Sequence, residues 1–142
     1  MARIGYRVEE ISPGQTAEYA KTVSDADILM FAGVSGDTNP VHIDASYAAT
    51  TMFKERIAHG MLSAGFISTV LGTLLPGPGA VYLKQSLSFK APVRIGDTVR
   101  AVCTVKEVVP EKKRVIMQTQ CFVGDDMVID GEASLMVPSK ND

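Results

Sequence analysis

The spacing of hydrophobic residues changes once along the chain, from a helical repeat before residue 76 to alternation after residue 80. An amphipathic helix places apolar side chains three and four residues apart, whereas a half-buried strand places them at every second residue. The change of period therefore predicts helices in the first half of the sequence, after one short strand, and an antiparallel sheet in the second half.

The first predicted helix follows a short strand at residues 15–23. Its apolar stripe begins at residues 28–32, where hydrophobic side chains recur at helical spacing. Ser24, followed three residues later by Asp27, has the form of a capping box, and Gly36 is a suitable end. We therefore expect a helix between Ser24 and Gly36.

The second helical segment, residues 60–75, carries no charge and is apolar on nearly every side. Proline and glycine at residues 76–79 end it, so its length is about 22 Å against the roughly 30 Å of a bilayer core. We therefore expect a helix buried by protein and no association with a membrane. A short helix capped by Asp44 is predicted before it, at residues 45–53.

Four strands are predicted after the proline–glycine break: 80–90, 98–109, 114–123 and 127–137. In the first of them the apolar residues share one face: Val81, Leu83, Leu87 and Phe89. Turns rich in glycine and aspartate join the others closely enough to form an antiparallel meander. Helices followed by such a sheet define an α+β pattern.

The apolar helix and the one-faced sheet fit together if the sheet wraps around the helix. The architecture with this arrangement is the hot-dog fold, in which an antiparallel sheet surrounds a central helix. A small sheet of this kind has exposed edges, and pairing two copies covers one edge on each. The pattern therefore favours a homodimer.

Composition narrows the function classes. With 142 residues, 46% hydrophobic and 21% charged, the sequence is typical of one globular domain over residues 1–142. A net charge of −2 provides no basic face for nucleic acid. The first residues lack the apolar segment of a signal peptide, and Cys103 and Cys121 have no metal-ligand spacing. We expect buried thiols in a cytoplasmic protein.

The loop SGDTNPVHID, residues 35–44, concentrates titratable groups between two apolar segments. Asp37 and His42 flank a proline, which stiffens the turn by fixing its own φ. A carboxylate and an imidazole that share a water can perform general acid–base catalysis, and Asn39 can orient either group. By spacing alone, an ordinary turn with a surface histidine is the favoured interpretation.

The residues at the start of the second helical segment favour a catalytic site over an ordinary turn. His59 and Gly60 stand where unpaired N–H groups and the helix dipole favour developing negative charge. Gly60 has no side chain, so a substrate oxygen can approach its backbone closely. An acid–base pair beside such a site suits chemistry next to a carbonyl. His59 itself is interpreted as a structural hydrogen-bonding residue rather than a second base.

Several motifs together carry a family resemblance. GDTNPVH matches the pattern D-x-N-P-x-H, and IAHGMLSAGFIS, LPGPGAVYLKQSLSFKAPVRIGDTV and GEASLMV follow it in order. Over about residues 15–137 the chain resembles the MaoC-like (R)-specific enoyl-CoA hydratases. The resemblance implies a hot-dog homodimer that hydrates trans-2-enoyl-CoA to (R)-3-hydroxyacyl-CoA. It implies no metal and no cofactor beyond the coenzyme A of the substrate.

The resemblance also implies roles for individual residues. Asp37 and His42 would be the catalytic pair, with Asn39 as the motif asparagine. The Gly60 N–H would hold the thioester oxygen, and Ser68 would maintain the site by hydrogen bonding. The expected acyl-pocket residues are Phe31, Ile67 and Leu71. The candidates for the coenzyme A phosphates are Arg56, Lys84, Lys90 and Arg94.

Three other functions were weighed against this one. A hot-dog thioesterase would place a carboxylate on the central helix, but residues 60–75 contain none. A non-catalytic acyl-binding subunit would lack at least one of Asp37, Asn39 and His42, and all three are present. A dehydratase of fatty-acid synthesis, acting on carrier-protein substrates, uses the same pair in reverse and stays open.

Overall fold

The order of helices and strands follows the predicted change of period. The computed structural model describes residues 4–142. The helices are α1 (Asp25–Ser35), α2 (Pro40–Ile43), α3 (Ala45–Ala48) and α4 (Gly60–Thr73), with short 3₁₀ turns at Val8–Glu10 and Pro110–Lys112. The strands are β1 (Thr16–Thr22), β2 (Val81–Phe89), β3 (Thr98–Val109), β4 (Arg114–Val123) and β5 (Asp126–Met136).

The five strands form one antiparallel sheet in the order β1-β3-β4-β5-β2. Strands β3, β4 and β5 are successive neighbours, which confirms the predicted meander. β1 and β2 are the edges, since each pairs with a single neighbour. The sheet packs against α4, so the predicted α+β architecture with a central helix is confirmed.

The core lies between α4 and the sheet. Ile67, Val70 and Leu71 of α4 are fully buried, and every second residue of β3 from Val99 to Val105 points into the same core. Such alternation is expected where one face of a sheet is covered. Within residues 4–142, none of the helices combines the length and apolarity needed to cross a bilayer.

Helix α4 is less completely buried than its sequence predicts. Met61, Gly65, Ser68 and Gly72 lie at helical spacing along one side and are exposed in the single chain. The sheet curves around only part of the helix, which leaves this side uncovered. The prediction of burial on nearly all sides was therefore wrong for the chain alone.

Strand β2 also departs from its predicted pattern. Val81, Leu83 and Phe89 were expected on a buried face, yet they are 45%, 46% and 53% exposed. The pairing with β5 changes register between Tyr82 and Lys84, and a shift of register redirects side chains relative to the core. Because β2 is an edge strand, no strand among residues 4–142 covers its outer side.

The local helix signals are mostly confirmed. Ser24 accepts a hydrogen bond from the Asp27 N–H at 3.1 Å, and the Asp27 carboxylate accepts one from the Ser24 N–H at 2.9 Å. This is the predicted capping box. Helix α3 ends at Ala48, well before residue 53. The hydroxyls of Thr50 and Thr51 donate to preceding backbone carbonyls there and compete with the helical ladder.

Candidate active site

The polar loop folds into a short helix that the sequence analysis missed. Asn39 is the N-cap of α2, its Oδ1 accepting the Val41 N–H at 3.2 Å, and Pro40 is the first helical residue. Asparagine at the N-cap followed by proline is a recognisable helix start, so the signal was present in the sequence. The short helix carries His42 from the exposed loop into a position that is 8% exposed.

Asp37 precedes α2 in an exposed turn. Its N–H donates to the Ser35 hydroxyl at 3.1 Å, and its Oδ1 accepts the Asn39 N–H at 3.2 Å. The Ser35 hydroxyl in turn donates to the Phe31 carbonyl at 2.6 Å. Asp37 is therefore held by the end of α1 on one side and by the start of α2 on the other.

His42 is fixed through both its ring and its backbone. Its Nδ1 lies 2.8 Å from the Ile57 carbonyl oxygen, and its own carbonyl accepts the Arg56 Nε–H at 2.6 Å. A carbonyl oxygen only accepts, so Nδ1 carries the hydrogen and the neutral ring keeps its lone pair on Nε2. Burial, the largest influence, lowers the pKa of His42 from the ordinary 6.5 and favours this neutral form.

His59 lies against this pair at the start of α4. It is 2% exposed, and its Nε2 donates to the Asp37 carbonyl oxygen at 2.9 Å. Its ring stacks on that of His42 with the centroids 3.9 Å apart and the planes 28° apart, and it also contacts the ring of Phe31 at 4.7 Å. The interpretation of His59 as a hydrogen-bonding residue agrees with this geometry but understated its closeness to the site.

The functional atoms of these three residues converge. A carboxylate oxygen of Asp37 and one ring nitrogen from each histidine all lie within 4.8 Å of one another. Two hydrogen bonds of about 2.8 Å that meet at a tetrahedral angle span about 4.6 Å, and separations of up to 4.8 Å are compatible with one water shared by Asp37 and His42. The same spacing suits a metal poorly, because stacked imidazoles do not direct their in-plane lone pairs at one point.

A cavity of about 640 Å³ opens beside these residues. This volume lies in the range of small-molecule sites. Its walls are mostly apolar and include Phe31, Met52, Phe53, Phe89 and Ile129. The polar groups that line it are Ser35, Asp37, His42, His59, Ser63 and Lys90. A few polar groups at one part of an apolar cavity favour a ligand with a reactive polar end and a hydrophobic body.

Gly60 lines the same cavity as the first residue of α4. Its N–H has no acceptor within the helix because the first turn lacks preceding carbonyls. A Cβ on Gly60 would lie 2.5 Å from a ring carbon of Phe89, closer than real contacts allow. The absent side chain therefore lets the ring of Phe89 pack directly against the Gly60 backbone at the cavity.

The remaining predicted site residues fall into two groups. Phe31 lines the cavity, as expected for a pocket residue. Ile67 and Leu71 are buried in the core and do not line the cavity, and Ser68 is exposed on the uncovered side of α4. Asn39 is also outside the cavity lining, where it caps α2.

The basic candidates also separate. Lys90 lies at the cavity, whereas Lys84 is exposed on the edge strand β2. Arg94 donates to the Phe53 carbonyl at 2.8 Å and pairs with Glu55. Arg56 pairs with Asp25 at 2.7 Å besides holding the His42 backbone. Both arginines thus bind backbone carbonyls of the segment 42–53, which borders the site.

The sheet, its central helix and the polar loop together define a hot-dog protein with a candidate site at the N-terminal end of that helix. A model of the MaoC-like domain family matches residues 8–129. The chain belongs to this family, as its motifs predicted.

Individual relatives agree with this assignment. The chain is 64% identical over 132 residues to an (R)-specific enoyl-CoA hydratase from Rhodospirillum rubrum, covering 93% of this chain and 92% of the relative. It is 49% identical to a 3-hydroxybutyryl-CoA dehydratase from Methylorubrum extorquens, covering 94% and 85%. The solved structure of an R-hydratase from Pseudomonas aeruginosa superposes with a TM-score of 0.90 at 50% identity, covering 96% and 88%.

Proposed function

We propose that the chain is an (R)-specific enoyl-CoA hydratase, which adds water across the double bond of trans-2-enoyl-CoA. The observation that carries this proposal is the placement of Asp37 and His42 within reach of one water, beside the Gly60 N–H and an apolar cavity. The names of the relatives at 64% and 50% identity support the same reaction.

The first step of the proposed mechanism is attack of water on C3. Water is held between the Asp37 carboxylate and the Nε2 lone pair of neutral His42, and one of them takes a proton as the oxygen bonds to C3. The π electrons of the alkene move toward the thioester, so negative charge develops on its carbonyl oxygen. Burial of His42 supports this step, because it keeps the ring in the form that accepts a proton.

The second step returns a proton to C2. The enolate oxygen is stabilised by the Gly60 N–H and the positive end of the α4 dipole. The acid–base pair then donates a proton to C2, which restores the carbonyl and leaves the pair as it started. The hydroxyl group on C3 and the hydrogen on C2 account for all atoms of the added water. No redox step occurs, so we propose that no cofactor other than the substrate's coenzyme A is needed.

The reverse reaction uses the same groups. Dehydration of a 3-hydroxyacyl thioester removes the C2 proton and the C3 hydroxyl at this site, and equilibrium sets the direction. The relative from Methylorubrum extorquens is named for that direction. The experiment that tests the function is turnover of crotonyl-CoA by the purified chain, with Asp37→Asn as the inactive comparison. Crotonyl thioester on an acyl-carrier protein, assayed in parallel, separates coenzyme A from carrier-protein substrates.

We also propose a homodimer formed through the β2 edge. The outer side of β2 exposes Val81, Tyr82 and Leu83, whereas the other edge, β1, exposes mainly threonine and glutamate. Pairing of two β2 edges would satisfy free backbone groups and cover these apolar side chains. It would make the interface isologous, with the same strand contributed by each copy.

Two broader proposals concern the whole chain. Residues 1–142 form one MaoC-like domain, which is supported by the single core and by the family match over residues 8–129. A reducing compartment, the cytoplasm, fits Cys103 and Cys121, which are buried free thiols whose pKa is raised by burial to about 12. Such thiols are unreactive because the thiolate is the nucleophile.

A further inference from the structure

His59 is joined to both members of the proposed catalytic pair by different contacts. Its Nε2–H donates to the backbone carbonyl of Asp37 at 2.9 Å, and its ring stacks on His42 at a centroid distance of 3.9 Å. Because the Asp37 carbonyl only accepts, the donor nitrogen of His59 must be Nε2. One buried side chain therefore touches the turn before α2 and the ring that α2 carries.

His59 is itself held in place from two directions. Phe31 of α1 packs against the ring of His59, with the centroids 4.7 Å apart. The backbone of His59 is the N-cap of α4, the helix that packs against the sheet. The side chain is 2% exposed, so it has little room to change rotamer. The core can thus fix the position of His59, and His59 can transmit that position to the loop.

We propose that His59 is a positioning residue that sets the distance between the Asp37 carboxylate and the His42 Nε2. The proposal rests on the function inferred above and adds a residue to its machinery. The hydrogen bond fixes the turn that carries Asp37, and the stacking fixes the plane of the His42 ring. Catalysis by a shared water requires that both the turn and the ring plane are fixed. A displacement of about 1 Å between the reacting groups costs on the order of 10²-fold in rate.

A direct catalytic role for His59 fits less well. Its Nδ1 is buried and has no hydrogen-bond partner within residues 4–142, and its Nε2 is already engaged by Asp37. Because Nδ1 is inaccessible and Nε2 is engaged, neither nitrogen is placed to exchange a proton with a substrate in the cavity. The titratable groups that face the histidine pair are Asp37, from the turn after α1, and Lys90, which follows β2.

Three variants separate the two contacts. His59→Gln keeps a donor near the Nε2 position but removes the ring, His59→Phe keeps a stacking ring but removes the donor, and His59→Ala removes both. We expect kcat for crotonyl-CoA to fall about 10-fold in each of the first two and about 10²-fold or more in the third. KM should stay within about threefold of the wild-type value, because the apolar cavity walls and the Gly60 N–H are retained.

A matched control tests whether lost stability explains the effect. Val70→Ala removes buried volume from the same helix, away from the cavity. It should lower the melting temperature while leaving kcat of the folded protein unchanged. If the folded His59 variants keep wild-type kcat and differ only in melting temperature, as this control does, the positioning role is overturned.

A measurement on the unmodified protein covers the case in which the variants do not fold. The sequence contains only two histidines, His42 and His59, so ¹⁵N NMR of histidine-labelled protein reports both tautomers, with His42→Gln providing the assignment. We expect Nε2–H for His59 and Nδ1–H for His42. A Nδ1–H form or a mixture of tautomers for His59 contradicts the hydrogen bond and overturns the proposal.

The outcomes also distinguish this inference from the function on which it rests. If wild-type protein does not turn over enoyl thioesters, the proposed function fails. If wild type is active, Asp37→Asn is inactive and the His59 variants match wild type in kcat, the function stands and the positioning role fails. The acid limb of the pH profile of kcat should also move to higher pH in His59→Phe, because, besides burial, the neighbouring His59 is one of the influences that lower the pKa of His42. An unmoved acid limb together with wild-type kcat would indicate a purely structural role.

Discussion

The ring of His42 donates its Nδ1–H to the carbonyl oxygen of Ile57 across 2.8 Å. Ile57 is itself tied to the sheet side of the molecule through a β-bridge with Arg94. The contact assigns the tautomer of His42 and leaves Nε2 as its free base nitrogen. His42, which the sequence places in a polar turn, is therefore buried and fixed by a hydrogen bond to the backbone of Ile57.

The first prediction concerns the proposed acid–base pair. Asp37→Asn and His42→Gln should each lower kcat at least about 10²-fold, because each removes a group that exchanges a proton with the shared water. Steady-state kinetics with crotonyl-CoA measures this, with circular dichroism to confirm folding. Asp44→Asn is the matched control, since it removes a nearby carboxylate but keeps an oxygen that caps α3. Near-wild-type turnover by either folded variant of the pair would refute the mechanism.

The second prediction is a pH dependence that follows from burial of His42. Its pKa lies below the ordinary 6.5, so the acid limb of kcat/KM should lie below pH 6.5 in wild type. The lowered pKa of His42 should also make the folded state less stable at acidic pH. Between the unfolded value and the lower folded pKa the unfolded chain binds more protons at His42, so the free energy of unfolding decreases as pH falls through that window.

Urea denaturation at a series of pH values measures that stability change. His42→Gln cannot titrate at this position, so its stability should depend less on pH over the same interval. An acid limb above pH 6.5, or an identical pH dependence of stability in His42→Gln, would contradict the assignment.

Much of the fold was predictable because its signals are local. The capping box at Ser24, the alternation of β3 to β5 and the glycine-rich turns each act within a few residues of chain, so the elements and the meander followed from the sequence. The polar loop was read as irregular although Asn39 and Pro40 form a helix start. That error arose because four-residue helices are too short to display a hydrophobic period.

The site was less predictable because its geometry depends on residues distant in sequence. The motif alone indicates Asp37 and His42. The stacking of His59 on His42 joins residues 17 positions apart, and no local sequence pattern predicts such a contact. Ile67 and Leu71 were expected in the pocket because they are apolar residues of α4. Sequence spacing does not reveal which apolar side of a helix faces the core and which faces a cavity.

The third prediction tests the space around the Gly60 N–H. Gly60→Ala places a methyl group against the ring of Phe89, which should displace that ring into the cavity and lower kcat/KM at least about 10²-fold. Gly33→Ala on α1 is the matched control, because a Cβ there meets no atom within 4 Å. Gly33 lies inside α1, where helix propensity favours alanine over glycine by about 1 kcal/mol, so the control should not lose stability. Wild-type kcat/KM in Gly60→Ala would argue against the role of this N–H.

The fourth prediction concerns assembly. Leu83→Asp puts a charge on the apolar outer side of β2 and should shift the protein from a dimer toward the 15.2 kDa monomer. Ala20→Asp puts the same charge on β1, the other edge, and should leave the dimer intact. Sedimentation velocity measures the oligomeric state of both variants. A wild-type protein that is monomeric and fully active, or equal dissociation of the two variants, would contradict the β2 interface.

The most direct test of the whole account is the stereochemistry of crotonyl-CoA hydration in D₂O. Asp37 and His42 lie on one short segment, so the water between them reaches one face of the alkene, and the same pair returns the proton to C2. In the proposed mechanism the Gly60 N–H holds the thioester oxygen and prevents the substrate from turning over. The account predicts the (R)-3-hydroxy product alone, with deuterium added syn at C2. Anti addition would show that acid and base lie on opposite faces of the alkene. A racemic or (S) product would show that water reaches the other face, and either result would contradict the assigned arrangement of pair and oxyanion site.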